Sequence, residues 1–447
     1  MSRKRINRRS FVTESARAGL AAFTIVPRHV LGRGYRAPSD TLNVACVGIG
    51  GMGWSDVRGM AVENIYALCD VDEKQGEDAF TAYPKAKRYK DFRQMFERDG
   101  GNIDAVTVTT PDHTHTVIAL AALKLKKPVY VQKPLTRTLH EVRVLVEAAK
   151  RAGVATQMGN QGHAREGTRQ VREWVEAGAI GTVREVHFWT NRPIWPQAID
   201  RPLQDYHVPP WLDWNLWLGP ATERPYHPSY APFNWRGWWD FGTGALGDMA
   251  CHIMDAAFWA LDLTYPSRID VEHTPLFKET APKGSRITYH FPARGNRGPV
   301  TVVWRDGALF PPRPPEVSDD AAWPPDDGGG QLWIGTDGKL VAGTYGDNPT
   351  LLDEKRHQDI TASPPAVKYP RVENVYAEFI AAAKGGPKTG SNFVDHAGPL
   401  TEMVLLGNLA VRTGRNLELN PDTGQVTNVR IPEELIKPVY RAGWSLE

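Results

Sequence analysis

A glycine-rich turn follows the first long apolar run of the chain, with the spacing G-x-G-x-x-G. This turn comprises Gly48, Gly50, Gly51, Met52 and Gly53. Glycines at this spacing let the backbone turn tightly and bring its N–H groups close to a pyrophosphate at a helix N-terminus. The next apolar run ends in Asp70, where a carboxylate can accept hydrogen bonds from ribose hydroxyls and repels a 2′-phosphate. An ordinary tight turn is the alternative. The position of Asp70 at the end of the second apolar run favours a dinucleotide site, and its carboxylate favours NAD over NADP.

A second pair of residues has the chemistry for moving a proton. Asp248 and His252 are four positions apart in an apolar segment, so on a helix they share one face. The carboxylate can then orient the imidazole and stabilise its protonated form, and histidine titrates in the range useful for catalysis. Such a base is needed when a hydroxyl loses its proton as a hydride leaves the same carbon. The spacing also fits a pair that only stabilises a helix.

The elements that must position these residues begin with a strand–helix alternation from residue 42 to about residue 157, which predicts a doubly wound parallel sheet. Ligands of such sheets bind outside the carboxyl ends of the strands. The residues that follow these ends are candidate contacts, namely Thr110, Pro111, His115, Gln132, Lys133, Gln161 and His163. By position, Thr110, Pro111 and His115 are expected along the path from adenosine to nicotinamide. Gln161 and His163 could hold the nicotinamide carboxamide or a sugar hydroxyl, although a polar crossover loop needs no ligand.

The pattern changes beyond residue 160, where strand-like runs recur among helices and a long Trp-, Pro- and Tyr-rich stretch. This mixture predicts an α+β domain built on a large open, mainly antiparallel sheet. With 447 residues, the chain is long enough for two domains. The predicted organisation is a leader over residues 1–40, an α/β Rossmann domain over 41–160 and a substrate-binding domain over 161–447.

Three further segments carry motifs in a fixed order. They are TTPDHTH at 109–115, VYVQKPL at 129–135 and GALGDMACHIMD at 244–255. Together with the glycine turn they resemble the glucose-fructose oxidoreductase and inositol dehydrogenase (Gfo/Idh/MocA) superfamily. The resemblance implies a Rossmann domain followed by an open-faced sheet domain, with NAD(P)-linked oxidation or reduction of a sugar or polyol where the two meet.

The same resemblance assigns the chemistry to Lys133, Asp248 and His252. His252 is expected to be the general base, and Lys133 to hydrogen-bond the developing alkoxide. One residue departs from the pattern, because Gln132 stands where the family usually has a glutamate, which removes a negative charge beside Lys133. Two alternatives remain: an NAD-dependent glycosidase that oxidises its sugar transiently, and a binding protein that kept the fold without turnover.

Aromatic side chains are concentrated just before Asp248 and offer flat faces to the C–H groups of a sugar. The whole chain has 15 tryptophans, and most of them are expected to serve packing. We expect Arg236 and Trp238 to contact the substrate.

Charge and cysteine usage limit the other classes of function. Residues 1–40 contain nine Lys or Arg and two acids, so the formal net charge of +2 leaves −5 on the remainder. A mildly acidic body gives no support for nucleic-acid binding. The three cysteines form no disulfide framework, and without C-x-x-C or H-E-x-x-H a metal site is not indicated.

The leader carries paired arginines, Arg8 and Arg9, before Ser10 and an apolar pair, and it resembles a twin-arginine export signal. The apolar run over 18–26 is too short to span a bilayer, so we expect export without stable membrane insertion. A disordered basic tail is the alternative. An exported enzyme is expected to hold its NAD tightly, and the family resemblance implies a homo-oligomer.

Overall fold

The computed structural model describes residues 40–446, and the first layer within them is a parallel sheet of short, apolar strands. Its six strands are β1 (Asn43–Val47), β2 (Asn64–Cys69), β3 (Lys87–Tyr89), β4 (Ala105–Val108), β5 (Val129–Val131) and β6 (Thr156–Met158). Their order is β3-β2-β1-β4-β5-β6, with every neighbouring pair parallel. The order reverses between β1 and β4, and such a switch point is where open α/β sheets bind ligands.

Helices connect these strands and cover both faces of the sheet. They are α1 (Met52–Gly59), α2 (Glu77–Ala82), α3 (Phe92–Asp99), α4 (Asp112–Lys124) and α5 (Leu139–Ala152). The ends of α5 show local sequence control: Thr138 and Glu141 form a reciprocal capping box, and Gly153 ends the helix with a left-handed φ of 64°.

The second layer is an eight-stranded mixed sheet. It contains β7 (Val183–Thr190), β8 (Arg268–His273), β9 (Ser285–Phe291), β10 (Val300–Arg305), β11 (Gly329–Gly335), β12 (Lys339–Gly343), β13 (Thr350–Leu351) and β14 (Leu417–Glu418). The order is β13-β12-β11-β7-β10-β9-β8-β14, and all pairs are antiparallel except β7 with β10. The predicted fold class, a Rossmann sheet followed by an α+β domain with a mainly antiparallel sheet, is confirmed.

The remaining helices join the two layers. They are α6 (Glu166–Glu176), α7 (Trp214–Leu218), α8 (Gly244–Ile253), α9 (Asp255–Ala260), α10 (Glu354–Ala362), α11 (Val375–Ala383), α12 (Gly398–Thr413) and α13 (Glu433–Ile436). Helix α12 packs against α5 of the first layer and against α8 and β8 of the second. One apolar core is continuous through both layers from residue 42 onward.

Helix α11 follows strands of the second sheet in the chain but packs against the first sheet. Its Val375, Phe379 and Ile380 pack in a core with Val44 and Cys46 of β1. The chain therefore returns from the second sheet to cover a face of the first, and the range 161–447 does not stay within one layer.

The proposed export signal lies outside the described residues. Among residues 40–446, no helix combines the length and apolar character needed to cross a bilayer. Cys46, Cys69 and Cys251 are all buried and free.

Candidate active site

A cavity of about 670 Å³ opens at the carboxyl ends of the first sheet, above the switch point. Its wall runs from the glycine turn, past Asp70, to Lys133 at the end of β5 and to Asp248 and His252 on α8. The residues singled out from three separate parts of the sequence therefore meet in one space.

The glycine turn has the close approaches that its spacing predicts. A Cβ on Gly48, which has a φ of 76°, would lie 2.6 Å from the carbonyl oxygen of Thr109. A Cβ on Gly53 would lie 2.1 Å from the Gly48 carbonyl oxygen, so this glycine allows α1 to pack on the turn and does not itself line the cavity. At Gly51 the space beyond the backbone is open. Gly48, Gly50, Gly51 and Met52 line the cavity and leave room for a ligand at the start of α1.

Asp70 follows β2 and reaches the same wall. Its carboxylate accepts hydrogen bonds from the backbone N–H groups of Ile49, at 2.8 Å, and Asp72, at 2.9 Å. Burial raises the pKa of Asp70 to about 6, against these hydrogen bonds. The carboxylate is thus fixed beside the glycine turn, as a ribose-binding acid must be.

Lys133, Arg236 and Asp248 form an ion cluster at the other end of the cavity. The Lys133 Nζ lies 3.0 Å from Asp248 Oδ1 and donates to the Asp248 carbonyl oxygen at 2.8 Å, while Arg236 Nε lies 3.1 Å from the same Oδ1. Burial opposes ionisation of Asp248, but the two cations outweigh it and hold the carboxyl pKa at about 2. Asp248 therefore stays charged and holds Lys133 in place.

His252 lies on the next turn of α8 and lines the cavity without a hydrogen bond to Asp248. The expected pairing is not formed because the carboxylate is turned toward Lys133 and Arg236. The imidazole Nδ1 is buried and has no hydrogen-bond partner among residues 40–446, and the ring meets Tyr345 edge-on, with the ring centroids 5.0 Å apart. Burial and the charge of Lys133 lower the His252 pKa to about 3, although Asp248 opposes this. The imidazole is therefore neutral at neutral pH, and its pKa lies below the range that was expected from the sequence.

Gln132 lines the cavity, as expected, and takes part in a buried polar cluster with Asp56. Its Nε2 donates to both carboxylate oxygens of Asp56, at 3.0 and 3.2 Å, and its Oε1 accepts from the backbone N–H of Lys133 at 3.3 Å. Asp56 also accepts from Thr109 Oγ1 at 2.6 Å and from the Tyr376 hydroxyl at 2.8 Å. Burial raises the Asp56 pKa to about 6. An amide at position 132 donates to this carboxylate, which an ionised glutamate could not do.

Thr110, Pro111 and Gln161 line the cavity as expected, but His115 does not. The buried Oε1 of Gln161 accepts no hydrogen bond from the described residues, so it is free for a ligand donor. His115 is buried, with Nδ1 2.9 Å from the Pro134 carbonyl oxygen and Nε2 2.8 Å from that of Thr110. Both ring nitrogens contact main-chain carbonyl oxygens, so His115 links two strand-end loops.

Trp238 also lies away from the cavity. Its indole is fully buried, its Nε1 donates to the Ser229 carbonyl oxygen at 2.8 Å, and its ring meets Tyr230 edge-on. The Trp238 indole therefore packs in the interior and does not line the cavity where a sugar contact was expected. Arg236 does line the cavity, with its guanidinium 4.3 Å from the Trp235 ring centroid and 4.5 Å from that of Phe233.

His163 belongs to a separate buried cluster. Its Nδ1 lies 3.1 Å from each carboxylate oxygen of Asp255, and His396 Nε2 contacts the same carboxylate. This group was not predicted, because its members are far apart in the chain: His163 and the motif that ends in Asp255 were noted separately, and His396 was not noted. Two imidazoles and a carboxylate are residue types that bind transition metals. Here they hydrogen-bond to one another directly and satisfy the buried carboxylate.

Asp112 is a cavity residue that the sequence reading passed over. Its Oδ2 accepts from Thr243 Oγ1 at 2.7 Å, and burial raises its pKa to about 7. Its position directly after Pro111, at the start of α4, was the available signal. Tyr345 and Trp444 also line the cavity, but they come from distant loops that no motif marked.

The fold and the site together define a Rossmann oxidoreductase with an added α/β domain. Residues 42–160 match a family model described as an oxidoreductase family, NAD-binding Rossmann fold, and residues 169–297 match the C-terminal alpha/beta domain of the same family. These matches cover more than half of the chain. The chain therefore belongs to the Gfo/Idh/MocA oxidoreductase family, which confirms the resemblance of its motifs.

Two curated relatives align with about a third of the chain. The myo-inositol 2-dehydrogenase of Thermotoga maritima is 27% identical over 158 residues, which are 35% of this chain and 47% of the relative. The inositol 2-dehydrogenase of Burkholderia multivorans is 31% identical over 153 residues, which are 33% of this chain and 45% of the relative. The chain thus spans about half the length of these relatives.

The fold is also similar to solved structures. The WlbA dehydrogenase of Bordetella pertussis, solved with NADH and UDP-GlcNAcA, superimposes with a TM-score of 0.58. The match covers 85% of this chain and 99% of that protein at 16% sequence identity. At this identity the likeness concerns the fold alone.

Proposed function

We propose that the protein is an NAD-dependent oxidoreductase that transfers a hydride between the coenzyme and a hydroxyl or ketone group of a sugar or polyol. One observation carries the proposal: a single cavity joins the glycine turn and Asp70 to Lys133, Asp248 and His252. The inositol dehydrogenases that match the chain support a polyhydroxylated substrate.

The residues present fit NAD. The open space at Gly51 can admit a pyrophosphate, Asp70 offers a carboxylate to a ribose, and the free Oε1 of Gln161 can accept a hydrogen bond from a carboxamide. When bound, the nicotinamide would accept or donate the hydride.

The chain itself handles the proton. His252 lines the cavity and its Nδ1 is buried, which leaves Nε2 to accept the proton of the substrate hydroxyl. Lys133 donates a hydrogen bond to the same oxygen and stabilises the negative charge that develops on it. Asp248 positions Lys133 by accepting from its ammonium group. In the reverse direction, protonated His252 returns the proton to the oxygen of a ketone.

Mass spectrometry of the denatured protein, followed by a panel of sugars and polyols, tests this proposal. We expect released NAD, or tight binding of added NAD, and conversion of a panel member with formation of NADH or, for a ketone, its consumption. Net hydrolysis without net NADH would select the glycosidase alternative. Absence of NAD binding would contradict the proposal.

We further propose that the chain is exported through the twin-arginine route and forms a homo-oligomer. The paired Arg8 and Arg9 support the first part. Cell fractionation of the full chain should find the wild type outside the cytoplasm and an Arg8→Lys, Arg9→Lys variant inside it. Equal distribution of the two would contradict export.

Light scattering of the purified protein tests the proposed homo-oligomer, and a monomeric mass would contradict it.

A further inference from the structure

The last ten described residues contact α5, α7 and α3, and one of them lines the cavity. Arg441 anchors them: its guanidinium donates to the Asn215 side-chain oxygen at 2.7 Å, to the Asn215 carbonyl oxygen at 2.7 Å and to the Gly219 carbonyl oxygen at 3.1 Å. The hydroxyl of the preceding Tyr440 donates to Glu141 at 2.7 Å. The segment is therefore held at two places before it reaches the cavity.

Trp444 is the residue of this segment that lines the cavity. Its backbone N–H donates to the Arg441 carbonyl oxygen at 3.1 Å, which forms a turn. Its indole lies under the guanidinium of Arg93, at 4.5 Å from the ring centroid, and 6.1 Å from the ring of Phe92. The indole is thus fixed by contacts with the start of α3.

The order of the strands identifies the part of the ligand that Trp444 faces. The glycine turn follows β1, Asp70 follows the neighbouring β2, and Phe92 follows β3 at the edge of the sheet. A coenzyme whose pyrophosphate lies at the glycine turn and whose ribose contacts Asp70 places its next group toward Phe92 and Trp444. That group is the adenine, since Lys133 and His252 occupy the opposite end of the cavity.

We propose that Trp444 forms part of the adenine subsite and that the C-terminal segment slows release of the coenzyme. This rests on the proposed NAD-dependent function. An indole offers a flat apolar face to a purine, and loss of such a contact weakens binding about 5- to 100-fold.

Calorimetry and dissociation kinetics with NAD and with ADP-ribose test this role. Trp444→Ala should raise the Kd for both ligands by the same factor, within about 5- to 100-fold, and speed NAD dissociation. Trp444→Phe should restore most of the affinity. Trp211→Ala is the control, because this indole is exposed and lies outside the cavity wall, and it should change neither the Kd nor the dissociation rate.

Arg441→Ala keeps the indole of Trp444 but removes the hydrogen bonds that hold the segment. It should therefore raise the Kd for NAD and speed NAD dissociation, as Trp444→Ala does. Trp444→Ala and Arg441→Ala proteins that bind NAD within twofold of the wild type would overturn the inference. A wild-type protein that binds no NAD would instead overturn the proposed function.

Discussion

At the residue scale, the structure shows that the side chain of Gln132 donates a hydrogen bond to Asp56. The sequence places its amide beside Lys133, where a glutamate is usual in the family, yet the side chain is turned toward Asp56. The Asp56 carboxyl already has a pKa of about 6 because it is buried. The amide is therefore one of three donors, with the hydroxyls of Thr109 and Tyr376, that favour the ionised form of Asp56 against its burial.

Gln132→Glu should destabilise the protein more at pH 8 than at pH 5.5. Two buried carboxyls about 3 Å apart cannot both be ionised, so the folded pair has a pKa above those of the unfolded groups. The penalty is present above that raised pKa and is relieved as the pH falls and the pair retains a proton. Thermal melts at the two pH values measure the difference.

The control for this prediction exchanges the two groups. Asp56→Asn combined with Gln132→Glu again places one amide against one carboxylate, so the deficit at pH 8 should shrink. A Gln132→Glu protein whose Tm differs from that of the wild type by the same amount at both pH values would contradict the assignment.

At the element scale, sequence reasoning located the long apolar strands and the helices that follow them. The missed strands are β3, β8, β13 and β14, which are short or polar, with the sequences KRY, RIDVEH, TL and LE. One of these pairs, β14 with β8, joins residues that are far apart in the chain. Helix α8 was predicted, but the direction of Asp248 was not, because the competing cations come from β5 and from the turn Asn234–Gly237. The spacing of two residues in a helix predicts that they share a face, but it does not predict which residues of other elements will bind them.

The cluster around Asp255 is a buried polar link between elements outside the cavity. It joins α9 to the turn Gln161–Ala164 and to the turn Phe393–Ala397. Burial opposes ionisation of Asp255, but the two histidines hold its pKa below the usual range. A carboxyl with a lowered folded pKa stabilises the fold above its unfolded pKa, and this contribution is lost as the pH falls.

Asp255→Ala should lower the free energy of unfolding by about 3–5 kcal/mol at neutral pH, because it leaves two buried imidazoles without their acceptor. Urea denaturation measures this loss. Glu147→Ala is the control at an exposed helical site, since that side chain is 57% exposed and lies 2.7 Å from Lys150, and it should have almost no effect. Equal effects of the two substitutions would contradict the role of Asp255.

At the scale of the whole molecule, both layers supply the cavity wall, and α11 and α12 connect them. A ligand in this cavity contacts both layers at once. The packing of α11 on the first sheet could not be predicted from sequence. Its apolar face consists of Val375, Phe379 and Ile380, and such a face could pack against any apolar surface.

NAD at about 100 times its Kd should therefore stabilise both layers by about 2.7 kcal/mol in one thermal transition. NADP at the same concentration should stabilise the wild type less, and Asp70→Ala should reduce this difference, because the carboxylate repels the 2′-phosphate. Differential scanning calorimetry follows the transition. An unchanged difference in Asp70→Ala would show that Asp70 does not face the ribose.

The central claim is that His252 takes the proton of a carbohydrate hydroxyl while the coenzyme takes the hydride. Its most direct test is the rate of NADH formation in a single turnover, for the wild type and His252→Ala, with a substrate identified from the panel. We predict a rate about 100- to 10,000-fold lower for His252→Ala, with an unchanged Kd for NAD. A His252→Ala protein that forms NADH at most of the wild-type rate would contradict the claim.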